Sequence, residues 1–102
     1  MSSLVFEDGG SLCHLIHGEL TFATAYVAYS EGVRRLTNLD QGARCEFDCR
    51  GITNADSAGL SVLIEWKGEA ARRGVSLVYF GLPSVIGRLA RISEVDTLLN
   101  VD

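Results

Sequence analysis

The chain has 102 residues, 47% of them hydrophobic and 22% charged, with a net charge of −4. That is one domain's length, with enough apolar surface for its own core and too much to stay disordered. The acidic balance excludes a nucleic-acid-binding face, because phosphates need a basic surface to neutralise them.

No apolar run approaches the ~20 residues that a membrane helix needs. The opening "MSSLVFEDGG" has neither a basic n-region nor a long apolar h-region, so no secretory signal is expected. A cytoplasmic location is the expectation. The three cysteines, Cys13, Cys45 and Cys49, are an odd number in apolar, strand-like surroundings. They suit reduced, buried thiols better than a disulfide framework.

In chain order, residues 3–7 read as a short strand with Leu4 and Phe6 on one face. "EDGG" (Glu7–Gly10) signals a hairpin turn, and Ser11–His17 reads as a second strand antiparallel to the first. Thr21–Thr37 reads as a helix capped by Thr21, with Phe22, Tyr26, Tyr29, Val33 and Leu36 forming its inner stripe. Ala43–Cys49 reads as a third strand with Cys45, Phe47 and Cys49 on one face.

A second helix is expected over Ala58–Arg73, with Leu60, Leu63, Ile64, Lys67 and Ala71 sharing a face and Gly74 ending it. Val75–Phe80 is apolar almost throughout and reads as a central strand covered on both faces. Pro83 opens a third helix whose inner side is Val85, Ile86, Leu89 and Ile92. Glu94–Leu99 reads as a short terminal helix or tail. The order ββαβαβα implies an α/β fold: a small mixed β-sheet, parallel where helices separate the strands, with helices mainly on one face.

Candidate chemistry centres on "NADSAGL", Asn54–Leu60. A serine nucleophile needs a nearby base, and His14 and His17 are an odd number apart on one strand, so they face opposite sides. Ser57 also lacks the G-x-S-x-G elbow, so catalysis is not expected. Cys45 and Cys49 lie ~13 Å apart on a strand, too far for one zinc ion, so no metal is expected. No phosphate-binding glycine loop is present, and no cofactor is expected. Asp56 and Ser57 are good helix N-caps. Gly59 costs helix propensity in a first turn, which points to a close backbone approach or a partner-facing surface. The residues leave a cap alone and a cap with a function both open.

The motif "NADSAGLSVLIEW", preceded by "FDCRGI" and followed by "GVSLVYFGLP", resembles the signature of STAS domains. "HGEL" (His17–Leu20) is similar to the end of that family's second strand, Asp48 to the Asp ending its third, and Asp56–Leu60 to its D-[ST]-[SAG]-G-[LIV] loop. The resemblance covers nearly the whole chain, residues 1–102 as one STAS domain. It implies a non-enzymatic module whose loop and following helix dock a partner protein. In some members the partner phosphorylates a loop serine.

Ala58 stands where anti-sigma factor antagonists usually carry the phosphorylated hydroxyl, which leaves Ser57 as the possible phosphorylation site. The single hydroxyl, "LIEW" (Leu63–Trp66) and Leu82–Leu99 resemble instead the small MlaB-like STAS subunit of Mla-type ABC transporters, which move phospholipids. That resemblance implies the ATPase subunit of an ABC transporter as partner, and peripheral placement at the inner membrane through the transporter. The alternative partner is an anti-sigma factor kinase. The implied contact residues are Asn54, Asp56, Ser57, Ala58, Gly59, Ser61, Glu65, Trp66, Glu69 and Arg72, with Gly68 on the same helix face. Trp66 reads either as an exposed anchor or as a packing residue.

Overall fold

The computed structural model describes residues 3–10 and 12–99. Ser11, expected to begin the second strand, lies outside them. The elements are β1 (Leu4–Asp8), β2 (Cys13–Leu20), α1 (Ala25–Thr37), β3 (Arg44–Ala55), α2 (Ser57–Arg72), β4 (Ser76–Phe80), α3 (Ser84–Ile92) and α4 (Asp96–Leu99). The expected order holds, with the tail resolved as α4.

The four strands lie in sequence order, β1-β2-β3-β4. β1 and β2 are antiparallel, whereas β2 with β3 and β3 with β4 are parallel. Two right-handed crossovers advancing in one direction put both helices on the same face of the sheet. α1 and α2 accordingly pack on each other over that face. β4 is an edge strand with one face covered, not a central strand covered on both. Its apolar run has another reason: Leu77 and Tyr79 face the core, while Phe80 lies outside under the guanidinium of Arg50, 4.9 Å from the ring centroid.

Strand alternation and helix periodicity meet in one core. Ile16, Leu20, Phe47, Leu63 and Trp66 are fully buried, as are Cys45 and Cys49. Phe6, Phe47, Trp66 and Tyr79 form an aromatic cluster, with Phe47 and Trp66 edge-to-face at 5.3 Å between centroids. Such pairs add ~0.5–1.5 kcal/mol each beyond their buried area.

Three helix faces differ from expectation. In α1, Phe22 and Tyr26 do not face the core; they are 85% and 76% exposed. The inner face is Ala28, Gly32 and Leu36, because small residues let α1 come close to α2. α1 also starts later than Thr21. The Thr24 hydroxyl donates to the Glu19 carbonyl at 2.7 Å and accepts from the Thr21 N–H at 3.0 Å, holding residues 21–24 as a turn, so Thr24 takes the N-cap position. In α2 the buried face is Gly59, Leu60, Val62, Leu63, Trp66 and Ala70, and Ala71 is exposed. In α3, Ile86, Gly87 and Ala90 are buried, and Ile92 is exposed.

Candidate functional site

β3 runs to Ala55, well past the expected end at Cys49. The C-terminal half of β2 carries it there, pairing His17 with Gly51, Gly18 with Ile52, Glu19 with Asn54 and Leu20 with Ala55. Asp48 is therefore mid-strand, and Asn54 belongs to β3 rather than to a loop. The chain then turns within one residue, Asp56, into α2.

Asp56 is extended at φ −138°, and its carboxylate ties two segments together. Oδ1 accepts the Gly59 N–H at 3.1 Å, capping α2. Oδ2 accepts the Phe22 N–H at 3.1 Å, holding the turn before α1 beside the start of α2. Gly59 is buried, and a Cβ there would collide with the Leu20 carbonyl oxygen. The close-approach reading of Gly59 is the right one. It lets the first turn of α2 sit directly on the end of β2.

With Asp56 and Gly59 engaged inside, Ser57 faces out, and Asn54 and Ser61 are exposed beside it. Asn54 Nδ2 donates to Glu19 Oε2 at 3.4 Å, and the Ser61 hydroxyl donates to the Ser57 carbonyl at 3.2 Å. Between α1 and α2 at this end runs an apolar groove of about 450 Å³, lined by Ala25, Tyr29, Ala58, Ser61, Val62 and Glu65. Phe22 and Tyr26, both largely exposed, belong to the same turn and first helical turn of α1.

The sequence reading missed this α1 side, since it assigned Phe22 and Tyr26 to the core. The signal was present in the small residues Ala25, Ala28 and Gly32, which at spacings of three and four mark a tightly packed face. Aromatics off that face then have to point elsewhere.

Trp66 is not a surface anchor. It is 0% exposed, its indole lies beneath α1 against Gly32, and its Nε1–H donates to the Tyr29 carbonyl at 3.2 Å. Glu69 and Arg72 lie ~18–22 Å further along the α2 axis than Ser57. They are committed to each other, Arg72 donating to Glu69 at 2.6 Å, with Arg73 on the same carboxylate at 3.0 Å. The structure thus brings Asn54, Asp56, Ser57, Ala58, Gly59, Ser61 and Glu65 to one end and leaves Glu69 and Arg72 apart.

The histidines and cysteines stay separate from this site. His14 packs against Phe47, and the Arg35 guanidinium lies 2.8 Å from its Nδ1. Burial, then Arg35, pushes the His14 pKa down. His17 pairs with Glu7 at 3.2 Å on the opposite face of the sheet. Burial raises the thiols of Cys45 and Cys49 to about 11 and about 12. Among the described residues no cluster of metal ligands occurs, and no helix is long and apolar enough to cross a membrane.

A mixed four-stranded sheet with its helices on one face and a capped, hydroxyl-bearing loop at the start of α2 defines a particular class of α/β domain. The family model described as "Mlab, STAS domain" matches residues 15–100, and the chain belongs to this STAS family. The solved structure of the anti-sigma factor antagonist SpoIIAA in its unphosphorylated form superposes with a TM-score of 0.69 at 10% identity, covering 95% of this chain and 85% of that one. The murine anion transporter Slc26a9 in its inward-facing state superposes with a TM-score of 0.59 at 12% identity, over 88% of this chain and 14% of that one. At these identities the likeness is one of fold. No curated protein matches the chain in sequence. STAS domains are protein-interaction modules of anti-sigma factor antagonists and transporters, and are generally non-enzymatic.

Proposed function

We propose that this protein is the cytoplasmic accessory subunit of a Mla-type phospholipid-transport ABC complex, and that it binds and stabilises the ATPase subunit. The observation carrying this reading is the exposed surface at the start of α2. Ser57 is exposed next to Ala58 in the lining of an apolar groove, and Phe22, whose N–H is held by Asp56, and Tyr26, next to Ala25 in that lining, are both largely exposed. Soluble domains seldom leave such rings exposed together without a partner. The match to the Mlab family model supports the transporter assignment. Ala58 supports it too, since only one loop hydroxyl is present. Contact with lipid is indirect, through the transporter.

The test is affinity purification of the tagged protein from its native host. The expected result is stoichiometric recovery of an ABC ATPase, and loss of that ATPase from the cell when this protein is removed. The likeness to SpoIIAA and the exposed Ser57 hydroxyl favour a second reading, an anti-sigma factor antagonist. Recovery of a kinase-like anti-sigma factor, with an ATP-dependent phosphate on Ser57, would select it.

A further inference from the structure

Resting on the reading that this end of the molecule docks a protein, we infer that the α1–α2 groove takes one amphipathic helix with a Lys or Arg at the end of its apolar face. Three observations carry this. The groove is largely apolar, its lining including the buried Val62 together with Ala25, Ala58 and Tyr29. From Ala58 to Glu65 the wall runs seven residues, ~10 Å of helix axis. That is two turns, the length presented by apolar side chains at i, i+4 and i+7 of a docked helix.

The third observation is charge. Glu65 is the one charged residue in the lining, and it is exposed. Among the described residues it is in no ion pair. Arg72 influences it only from a distance, being hydrogen-bonded to Glu69. Elsewhere on the α1–α2 face the acids are matched: Glu31 by Arg34 and Arg35, Glu69 by Arg72 and Arg73. An unmatched carboxylate at the end of an apolar channel selects a cation in the occupant and rejects an acid.

The test uses two fluorescein-labelled helical peptides, each with Leu at i, i+4 and i+7. One carries Lys and the other Glu at both flanking positions, i−4 and i+11, so either direction of docking is covered. The Lys peptide should bind about fivefold tighter, the effect of one exposed charge pair counted as attraction and then as repulsion. Glu65→Lys should reverse the order, and Glu65→Gln should abolish it. Amide shifts in the ¹⁵N-labelled protein should centre on Ala25, Tyr29, Ala58, Ser61, Val62 and Glu65. Equal affinity for both peptides, a preference unmoved by Glu65→Lys, or shifts elsewhere would overturn the inference. So would concentration-dependent shifts of the same amides without peptide, which mean a second copy fills the groove. Absence of an ABC ATPase from the purification, with this result intact, would remove the transporter reading and leave the groove's specificity standing.

Discussion

Trp66 packs its indole against the bare Cα of Gly32, so that any side chain at residue 32 would occupy the ring's space. The same ring meets Phe6 and Phe47 edge-to-face and bonds the α1 backbone at Tyr29. Gly32→Ala therefore cannot be absorbed by a flexible neighbour. It should destabilise by ~1–3 kcal/mol, the usual penalty for overpacking, despite alanine's better helix propensity. Trp66→Ala should cost ~3–5 kcal/mol. The cause can be isolated, because on a Trp66→Leu background Gly32→Ala should be close to neutral. Urea denaturation of the four variants gives the coupling directly. Additive losses would show that the ring contact is not the reason for the glycine.

Element order, parallel pairing across the crossovers and helices mainly on one face were legible in the sequence, because period-2 and period-3.6 patterns alternate cleanly from Cys13 to Phe80; the edge position of β4 was not, since its apolar run reads as a central strand. What was not legible depended on partners distant in sequence. "GITNA" reads as polar loop, yet it is strand because Gly51–Ala55 has His17–Leu20 to pair with. Aromatics outrank glycine and alanine on any hydrophobicity count, so α1 was rotated to bury Phe22 and Tyr26. The actual face was set by how closely α2 approaches, which Gly32 and Trp66 decide together. The loop reads as a cap, which Asp56 provides, and of the two readings open for Gly59 the fold selects close approach over a partner-facing surface. That Asp56 also grips Phe22 needed the fold.

That double grip gives a second expectation. Asp56→Ala removes the acceptor for both Gly59 and Phe22 and should cost ~1–2 kcal/mol. Asp56→Asn keeps one acceptor oxygen and should lose about half of that. Hydrogen exchange should localise the effect: in Asp56→Ala the amides of Phe22 and Gly59 lose protection, and those of β1 do not. Equal protection in both variants would count against the bridge.

The acid side of the stability profile should show two groups. His14 has its pKa held below the ordinary 6.5 by burial first and Arg35 second. The unfolded chain thus takes up a proton before the folded one does. The stability from a neutral His14 is complete above pH 6.5 and falls as pH drops from there through the folded value. Glu31, hydrogen-bonded by Arg34 and Arg35, is lowered from 4.5 to about 2. Its contribution is present above pH 4.5 and lost as pH falls towards 2. Urea midpoints measured against pH should lose the first slope in His14→Gln and the second in Glu31→Gln. A profile unchanged by either substitution would refute the assignment.

Cysteine reactivity should divide by face. Cys45 and Cys49 are fully buried, with thiols raised to about 11 and about 12. Cys13 is half-buried on the open face of the sheet beside Glu46, Arg50 and Phe80. Iodoacetamide at pH 8 should label Cys13 in the folded protein and reach all three only in urea. Mass spectrometry of native samples showing Cys45 or Cys49 modified first would mean that α2 opens from the sheet.

The last expectation concerns Ser57, the first residue of α2, whose side chain is free to meet a partner. Negative charge at a helix N-terminus favours the helix dipole, so Ser57→Asp should leave the urea midpoint unchanged or slightly raised. A docked partner meets something different: a second carboxylate next to Asp56, at the edge of a groove that already holds an unmatched Glu65. Partner binding should fall at least tenfold through repulsion and desolvation, an effect of ~1.4 kcal/mol or more. Ser57→Ala, which removes the hydroxyl without adding charge, should weaken it far less. Copurification of the partner with each variant, read beside its thermal stability, separates the two effects. Normal recovery with Ser57→Asp would remove Ser57 from the docking surface and with it the loop's role as a switch.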